Sequence, residues 1–482
     1  MSRLHRLSGN DSFFLLSETP DQPMHYVTLL ALGPEERPGS KPAQLSLDEL
    51  SDFLRDRLHL VPALRWRIKP VPMGLGHPVA FDDPDFDLTH HIAQASVADP
   101  GGRAELDALV ARVAEWPLDR SRPLWRLALV SGLAGGSQVL LLQVHHALMD
   151  GAAALNVASV LFSESTPAPP AEPAAKPGKA PGSLRLVVGA IGNGTRKNFR
   201  FPGLLWRSVR GGLRVRARQK AGAIRIPLPG KDTPACVINC PPGRGRCFAR
   251  GYLPLADVKA VKDAAGATVN DVALALCAGA LRDYLEARGQ LPQRPLIAAI
   301  PVGIDTTDHS RGWGNRWSGL ATTLATDVAD PWERLGRITA VTRESKHQLG
   351  LMGVTLLEQW VDFFPPFLAA SAVAKERRDA ADPNHVRFNL ALSNLRRPGE
   401  PLVISVPAGR WQIGDVFFTA VPANRQGLSI VCMDQGDQLT FGVFSTADAM
   451  DDPTEFVAGL HRALAELVKA MGALAGAGDR SL

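Results

Sequence analysis

A pair of histidines followed by an aspartate and a glycine is the strongest chemical signal in the sequence. The heptapeptide His145–Gly151 reads HHALMDG. It lies between an apolar run at 138–144, which predicts a buried strand, and a run at 152–162, which predicts a helix. A histidine on the loop after a strand is fixed in place but open to a substrate. Because its unperturbed pKa is about 6.5, it is suited to accept a proton near neutral pH.

Each polar residue of this motif has its own expected part. We expect His146 to take the proton and His145 to support the loop. Asp150 is expected to turn back and pair with an arginine that locks the loop, and Gly151 to allow the tight turn into the helix. The alternative is a polar loop whose histidines are merely exposed. A second histidine pair, at 90–91, lacks the Asp-Gly and is expected to be structural.

Other kinds of catalytic site have little support in the sequence. No GxSxG motif is present, which weighs against a serine hydrolase. The cysteines at 236, 240 and 247 have neither a CxxC spacing nor a nearby histidine, so we expect no metal site. All the cysteines are expected to be reduced thiols, since they are sparse, odd in number and follow no secretory signal: Cys236, Cys240, Cys247, Cys277 and Cys432.

The positive charge of the chain is concentrated in one segment. The whole sequence of 482 residues has 53 Lys+Arg and 48 Asp+Glu, a net charge of +5. Residues 184–231 contain twelve basic and no acidic residues, so the remainder carries 41 basic and 48 acidic residues. The length suggests two or three domains, and the 45% hydrophobic content excludes collagen, a disordered tail and a disulfide scaffold.

The elements that must position the histidine motif form two similar lobes in the sequence pattern. Strand and helix signals are mixed in both halves, which predicts an α/β or α+β fold. We expect an N-terminal lobe at 1–165, a connecting region at 166–245 and a C-terminal lobe at 246–482. Helices are predicted at 269–288, with Thr268 as N-cap, and at 453–471.

The connecting region combines two unlike parts. Thr166–Gly182 is rich in Pro, Ala and Lys and predicts a semi-extended linker. In the basic segment that follows, Leu204-Leu205-Trp206 and later apolar residues alternate loosely with arginines and predict an amphipathic helix. Such a helix can lie on an anionic membrane, bind nucleic acid or simply connect the lobes. Nucleic acid is not expected, because no supporting fold motif or aromatic stacking platform accompanies it.

No targeting or spanning segment is expected. The N-terminal 18 residues have only a short apolar run, and no run of about 18 uncharged apolar residues follows. The sequence therefore predicts a cytoplasmic protein, and the amphipathic basic helix favours peripheral association with an anionic membrane or lipid-droplet surface.

The histidine motif resembles the signature of CoA-dependent acyltransferases with the chloramphenicol acetyltransferase fold. The rest of the chain is similar to the wax ester synthase/acyl-CoA:diacylglycerol acyltransferase family over almost its whole length. The motifs that carry the resemblance are Leu7–Asp11, Pro23–His25, Phe86–Leu88, Pro123-Leu124-Trp125, Leu253–Leu255, Asn270-Asp271, Pro301-Val302, Gly314-Asn315 and Asp330-Pro331.

The resemblance implies a fold and a reaction. The fold would be two chloramphenicol-acetyltransferase-like lobes with the active site in a channel between them. The reaction would be transfer from acyl-CoA, as substrate and with no cofactor, to a lipid alcohol, giving triacylglycerol or wax ester. His146 would be the general base, and no acyl-enzyme would form.

Two further motifs have a functional and a structural interpretation. Asn270 or backbone amides at the start of the predicted 269–288 helix are candidates to stabilise the oxyanion, with Asp271 beside them. The alternative for this pair is capping of the helix. Pro123, Leu124 and Trp125 are expected to be structural, with Trp125 packed in a core.

The sequence departs from the family pattern at two places. The usual Ser-Asn-Val-Pro-Gly-Pro is here Ser393-Asn394-Leu395-Arg396-Arg397-Pro398-Gly399, and a common Ser-Tyr pair is Met433-Asp434. Both affect the expected shape of the acceptor or acyl channel. Two competing functions therefore remain, a condensation-type or polyketide-associated acyltransferase and a lipid-binding relative without turnover. The oligomeric state is not predicted.

Overall fold

The computed structural model describes most of the chain. The part of the predicted linker up to residue 179 lies outside the described residues. The described ranges are 4–34, 44–164, 180–241, 243, 245–304, 310–397, 399–421 and 425–478.

The strands are short and are numbered here in chain order. They are β1 (His5–Arg6), β2 (His25–Pro34), β3 (Trp66–Lys69), β4 (Val79–Asp82), β5 (Ile92–Ser96), β6 (Trp125–Ser131), β7 (Gln138–His145), β8 (Arg246–Pro254), β9 (Ile297–Gly303), β10 (Trp317–Thr323), β11 (Leu390–Arg396), β12 (Leu402–Val406), β13 (Gly409–Phe418), β14 (Leu428–Gln435) and β15 (Gln438–Thr446).

The helices alternate with the strands along the chain. They are α1 (Gly9–Ser17), α2 (Leu47–Arg57), α3 (Arg103–Val113), α4 (Gly151–Phe162), α5 (Ser183–Lys220), α6 (Leu255–Ala265), α7 (Val269–Glu286), α8 (Pro331–Met352), α9 (Leu356–Phe363), α10 (Pro366–Asp379) and α11 (Pro453–Gly478).

Two six-stranded sheets form the centres of two lobes. The N-terminal sheet has the order β12-β13-β2-β7-β6-β5, and the C-terminal sheet has the order β10-β9-β11-β14-β15-β8. A small third sheet, β1-β4-β3, lies beside the N-terminal lobe elements. Most neighbours are antiparallel, but β5 pairs parallel to β6, and β11 pairs parallel to both β9 and β14. This mixed α/β, two-lobed arrangement is the fold class that the sequence predicts.

One hairpin crosses between the lobes. Strands β12 and β13 come from the C-terminal half of the sequence, yet β13 pairs antiparallel with β2 in the N-terminal sheet. The predicted division into 1–165, 166–245 and 246–482 remains a prediction. Hydrogen bonding assigns residues 402–418 to the sheet of the N-terminal lobe, so the lobes are not two consecutive stretches of chain.

Local sequence patterns account for the elements around the histidine motif. The apolar run 138–144 forms β7, which is almost entirely buried, and the run after it forms α4. The predicted 269–288 helix is confirmed as α7, with the Thr268 hydroxyl accepting from the backbone N–H of Asp271. The predicted 453–471 helix begins at Pro453 as expected and continues further, to Gly478.

Among the described residues, no single helix combines the length and hydropathy that crossing a bilayer requires. Helices α6 and α7 meet the criterion only when taken together, and they are bent by 104° relative to each other. Helix α7 is a core helix, since Val272–Leu281 is fully buried in the C-terminal lobe.

Candidate active site

A large cavity between the lobes contains the histidine motif. Its volume is about 2500 Å³, and residues of both lobes line it. His146 and Asp150 reach it from the end of β7, while Asn270 and Ser393 reach it from the C-terminal lobe. Ligand pockets in proteins usually have volumes of about 300–1,000 Å³, so this cavity can hold more than one ordinary ligand.

The ring of His146 is oriented by a side chain from the other lobe. The Nδ1 atom of His146 lies 2.7 Å from Oδ1 of Asn315, just before β10. The Nδ2 group of Asn315 donates to the backbone oxygen of His146 (2.6 Å) and to Oδ1 of Asp11 (2.8 Å). Both partners are acceptors, which fixes the amide orientation. The Oδ1 atom must therefore accept from Nδ1–H of His146, and Nε2 is left as the unprotonated, basic nitrogen.

Asp11 holds Asn315 in place from α1. One carboxylate oxygen, Oδ1, accepts from the backbone N–H (2.7 Å) and the side-chain amide (2.8 Å) of Asn315. The other, Oδ2, accepts from the backbone N–H of Ser8 in the capping box of α1. Burial raises the pKa of Asp11, and these hydrogen bonds oppose the rise. A continuous chain of hydrogen bonds thus runs from the start of α1 through Asn315 to His146.

The packing around His146 favours its neutral form. Phe14 stacks on the imidazole with ring centroids 3.9 Å apart, and Tyr26 meets it edge-on at 5.5 Å. Burial lowers the pKa of His146 to about 4, although Asp150 and the hydrogen bond with Asn315 act in the opposite direction. A histidine that is neutral at physiological pH is able to accept a proton.

His145 faces away from the cavity and is completely buried. Its Nδ1 accepts from the backbone N–H of Ala147 (3.0 Å), so Nε2 carries the proton and lies 3.3 Å from Oε1 of Glu18. Glu18 also accepts from Nε of Arg120 at 2.7 Å. Burial alone would raise the pKa of Glu18, but His145 and Arg120 outweigh it and lower this pKa to about 2. These contacts agree with the loop-supporting part expected for His145.

Asp150 locks the loop, as the sequence predicts, through Arg311. The guanidinium donates to both carboxylate oxygens of Asp150, at 2.8 and 3.1 Å. The same carboxylate accepts from the backbone N–H of Ala153, capping α4, and from the backbone N–H of Arg316. The backbone of Met149 also forms a bridge with Gly314. The motif loop is thereby tied to the segment that carries Asn315.

The expectation that Gly151 allows the tight turn into α4 stays a prediction. Gly151 is the first residue of α4, and its φ is not positive, so it makes no left-handed turn. A Cβ at this position would lie 3.0 Å from Cδ1 of Leu395 in β11. Gly151 therefore lets α4 pack closely on the segment in which the sequence departs from the family pattern.

The side chains of Asn270 and Asp271 have different surroundings in the structure. Asn270 lines the cavity, but no hydrogen bond joins it to His146 within the described part of the chain. Asp271 is buried and completes a capping box with Thr268, whose N–H and hydroxyl donate to Oδ2 at 2.9 and 2.7 Å. The capping interpretation is thus confirmed for Asp271.

The Pro123-Leu124-Trp125 motif lies in the core of the N-terminal lobe. Trp125 is buried and donates from Nε1 to the backbone oxygen of Leu64 at 2.7 Å. His91, the second histidine of the 90–91 pair, stacks on Trp125 with ring centroids 4.7 Å apart. These contacts agree with the structural part expected for both motifs.

The departures from the family pattern lie at the cavity wall. Arg396 and Arg397 at the end of β11 line the cavity, as do Ser393, Leu395 and Asp434. Arg397 is held by the backbone oxygens of Gly414 and Ile413 in β13. The two arginines therefore belong to the channel surface rather than to a remote loop.

The sequence interpretation missed four residues of the site. Asn315, Asp11, Arg311 and Glu18 carry the hydrogen bonds that orient the motif, but none was singled out for a role. Asn315 and Asp11 were present only as parts of family-like motifs. A polar residue next to a glycine, as in Gly314-Asn315, was the available signal.

Comparison with known families matches both halves of the chain. Residues 7–273 match the wax ester synthase/diacylglycerol acyltransferase catalytic domain, and residues 313–468 match the C-terminal domain of the same family. Two Mycobacterium tuberculosis proteins, both provisionally named diacylglycerol O-acyltransferases, are similar over nearly the full length. One is 32% identical, covering 97% of this chain and 90% of the relative, and the other is 31% identical, covering 97% of each.

Solved structures share the fold. A wax ester synthase/diacylglycerol acyltransferase from Marinobacter aquaeolei VT8 superposes with a TM-score of 0.67 and 27% identity, covering 97% of this chain and 100% of that one. The starter condensation domain of rhizomide synthetase gives a TM-score of 0.56 at 13% identity, covering 97% and 94%. At that identity, the second likeness concerns the fold alone.

Proposed function

The chain belongs to the wax ester synthase/diacylglycerol acyltransferase family and is an acyl-CoA-dependent lipid acyltransferase, and we propose that His146 is its general base. The observation that carries this proposal is the hydrogen bond from Nδ1 of His146 to Asn315, which leaves Nε2 as a free base in the interlobe cavity. Neither Asp150 nor His145 has a free basic atom there, because both are committed to structural hydrogen bonds.

The reaction proceeds by direct transfer. His146 Nε2 takes the proton of the acceptor hydroxyl as the oxygen attacks the thioester carbonyl of acyl-CoA. The tetrahedral intermediate collapses, the C–S bond breaks and the imidazolium gives its proton to the departing CoA thiolate. The ester and free CoA are the products, and the histidine returns to its neutral state. Asn270, on the cavity wall, is the candidate donor to the oxyanion.

The size of the cavity supports direct transfer. This mechanism requires acyl-CoA and the lipid alcohol to be bound at the same time, with the reacting atoms about 3–3.5 Å apart. The cavity of about 2500 Å³ has room for two long-chain groups and joins surfaces of both lobes at His146. A ping-pong mechanism through an acyl-enzyme would need only one substrate in the site at a time.

Diacylglycerol is the acceptor favoured by the names of the M. tuberculosis relatives, and a long-chain alcohol is the other candidate. The test uses purified protein with labelled palmitoyl-CoA and either dioleoylglycerol or hexadecanol, and separates the products by thin-layer chromatography. Labelled triacylglycerol or wax ester is the expected product and identifies the acceptor. Absence of both esters would contradict the proposed function, and transfer only to a carrier-protein thioester would favour the condensation-type alternative.

Helix α5 is the proposed contact with a membrane or lipid-droplet surface. Most of the basic segment lies in a single helix of 38 residues. Its inner side contributes buried Leu186, Ala190 and Leu204, but large apolar side chains are also exposed, among them Phe199 at 87% and Trp206 at 66%. Exposed arginines share the outer surface of the helix: Arg185, Arg200, Arg207, Arg210, Arg214 and Arg216.

This combination fits an anionic lipid surface. Exposed apolar side chains insert below the head groups while arginines bind lipid phosphates, each contributing about 1 kcal/mol near the surface. Co-sedimentation with vesicles that contain phosphatidylserine tests the contact. Phe199→Ser/Trp206→Ser should reduce the bound fraction, whereas Trp116→Ser, at an exposed tryptophan of the N-terminal lobe, should not. Unchanged binding in the double variant, and after deletion of residues 184–231, would refute the membrane contact.

A further inference from the structure

The interlobe cavity has an apolar opening between α1, α9 and α10. Four of the residues that line the cavity on or next to these helices are large, apolar and strongly exposed. They are Phe13 (42%), Leu357 (49%), Phe364 (42%) and Leu368 (46%). Apolar side chains are seldom left exposed together without a partner, and a group at a cavity opening indicates something apolar that passes or binds there. These four residues are called the apolar mouth below.

The apolar mouth adjoins the membrane-contacting helix. Trp360 of α9 donates from Nε1 to the hydroxyl of Ser208 in α5 at 2.9 Å. The ring of Phe201 in α5 lies 5.2 Å from that of Phe363, which is the residue before Phe364. The mouth and the exposed side of α5 are therefore parts of one region of the surface.

Further exposed apolar residues extend this region. Phe367, in the first turn of α10, is 47% exposed. It packs against Gly74, where an added Cβ would lie 3.2 Å from the backbone nitrogen of Phe367. Met73, next to that glycine, is 77% exposed. An apolar surface thus surrounds the mouth on the side facing α5.

The mouth is close to the catalytic base along α1. Phe13 is at the mouth, and its neighbour Phe14 stacks on the imidazole of His146 at 3.9 Å. The two phenylalanine rings are 5.7 Å apart. Helix α1 also carries Gly9, which packs so tightly on Val361 that a Cβ would lie 2.4 Å from its carbonyl carbon. A hydroxyl entering past Phe13 therefore has a short, apolar path to Nε2.

We propose that the apolar mouth is the entrance through which the lipid alcohol passes from the membrane surface into the cavity. This inference rests on the proposed acyltransferase function and membrane contact. The acceptor is uncharged and has its lowest free energy in lipid, so an apolar path that begins at the membrane avoids its transfer through water. The protein would take its acceptor from the bilayer to which α5 binds.

Acyl-CoA does not fit this entrance. Its CoA part carries several phosphate charges, and none of the four mouth residues is charged. Basic residues line the cavity on other elements, with Lys259 on α6, Lys346 on α8 and Arg387 before β11. A phosphate-bearing head group is stabilised by such cations and destabilised by an apolar rim.

A carboxylate placed in the mouth tests the proposal. Leu368→Asp is compared with Leu474→Asp, which makes the same change at a 52% exposed leucine of α11. Each protein is assayed with dioleoylglycerol in phosphatidylserine-containing vesicles and with hexanol dissolved in water. In Leu368→Asp the ratio of vesicle to hexanol turnover should fall about tenfold or more, because a charge at the edge of the lipid opposes passage of the acceptor. The ratio of Leu474→Asp should match the wild type.

The outcomes separate the two proposals. If Leu368→Asp loses turnover equally with both acceptors, or loses none with either, the proposed entrance is wrong. Loss of vesicle co-sedimentation in this variant would also overturn it, because Leu368 would then be a membrane-docking residue. Wild-type protein without transfer to dioleoylglycerol, hexadecanol or hexanol would instead contradict the proposed function. Melting temperatures confirm folding, and Leu368→Ser takes the place of Leu368→Asp if the charged variant is unfolded.

Discussion

The Oδ1 atom of Asn315 lies 2.7 Å from Nδ1 of His146, although 169 residues separate the two in the chain. His146 directly follows the central β7 of one lobe, and Asn315 precedes the edge strand β10 of the other. The base and the group that sets its tautomer are therefore brought together only when the lobes meet. Correct lobe assembly is a condition for the proposed proton transfer.

Replacing Asn315 with alanine should slow turnover without weakening substrate binding. The ring of His146 would lose the acceptor that fixes Nδ1–H, so Nε2 would be protonated or misdirected in part of the molecules. Since a well-placed general base contributes about 10²–10⁴-fold, we expect kcat to fall roughly 10²-fold with little change in KM. Steady-state kinetics measure kcat and KM separately. A kcat within twofold of wild type would show that Asn315 is not a positioning residue.

Removal of the base itself should have the largest effect. His146→Ala should lose nearly all transfer while remaining folded, because the side chain is at the cavity surface and its loss leaves the Asp11–Asn315 contacts in place. The matched control is His90→Ala, which removes an exposed histidine from the other pair. Radiolabelled ester formation and circular dichroism are compared for both. Near-wild-type turnover in folded His146→Ala would contradict the proposed mechanism.

The Asp150–Arg311 pair should contribute chiefly to stability. Their side chains are only 12% and 9% exposed, and Asp150→Asn would leave the guanidinium without its counter-charge. Breaking a buried pair by changing one partner costs about 3–5 kcal/mol, so a clear fall in melting temperature should accompany the loss of turnover. Thermal unfolding and turnover are measured on the same sample. Reduced turnover with unchanged melting would point to a direct chemical role for Asp150.

The free energy of unfolding should decrease at acidic pH, because the folded protein holds histidines in their neutral form. Burial lowers the pKa of His25 and of His146 to about 4 each, below the value of about 6.5 in an unfolded chain. The unfolded state then binds more protons in this range, so stability is complete above about pH 6.5 and falls as the pH decreases towards 4. Urea unfolding at several pH values measures this fall. For the same reason kcat/KM should have no inflection near pH 6.5.

Adding a methyl group at Gly151 should cause a local clash that a second substitution relieves. In Gly151→Ala the new Cβ would meet the Leu395 side chain at 3.0 Å, and overpacking of this kind costs about 1–3 kcal/mol. Leu395→Ala removes the opposing atoms, so the double variant should be more stable than the sum of the single effects predicts. A thermal double-mutant cycle measures this coupling, and simple additivity would contradict the packing explanation.

Local patterns were sufficient for the elements and for the reactive histidine. The apolar run that forms β7, the cap at Thr268 and the HHALMDG spacing each concern residues that are near one another in the chain. Hydrophobic periodicity and capping act over one or two turns, so the sequence contains them directly. The family resemblance added the two-lobed fold, because its motifs extend over almost the whole chain.

The contacts that complete the site were decided only by the tertiary structure. Asn315 and Arg311 reach the histidine loop across 169 and 161 positions of sequence, and Asp11 reaches Asn315 across 304. The β12–β13 hairpin joins the sheet of the opposite lobe. Such partners depend on how the sheets pack and which lobe surfaces meet, and no spacing rule relates them. The sequence therefore determined which residue is suited to take a proton, and the assembly of the lobes decided which of its two nitrogens is left free to do so.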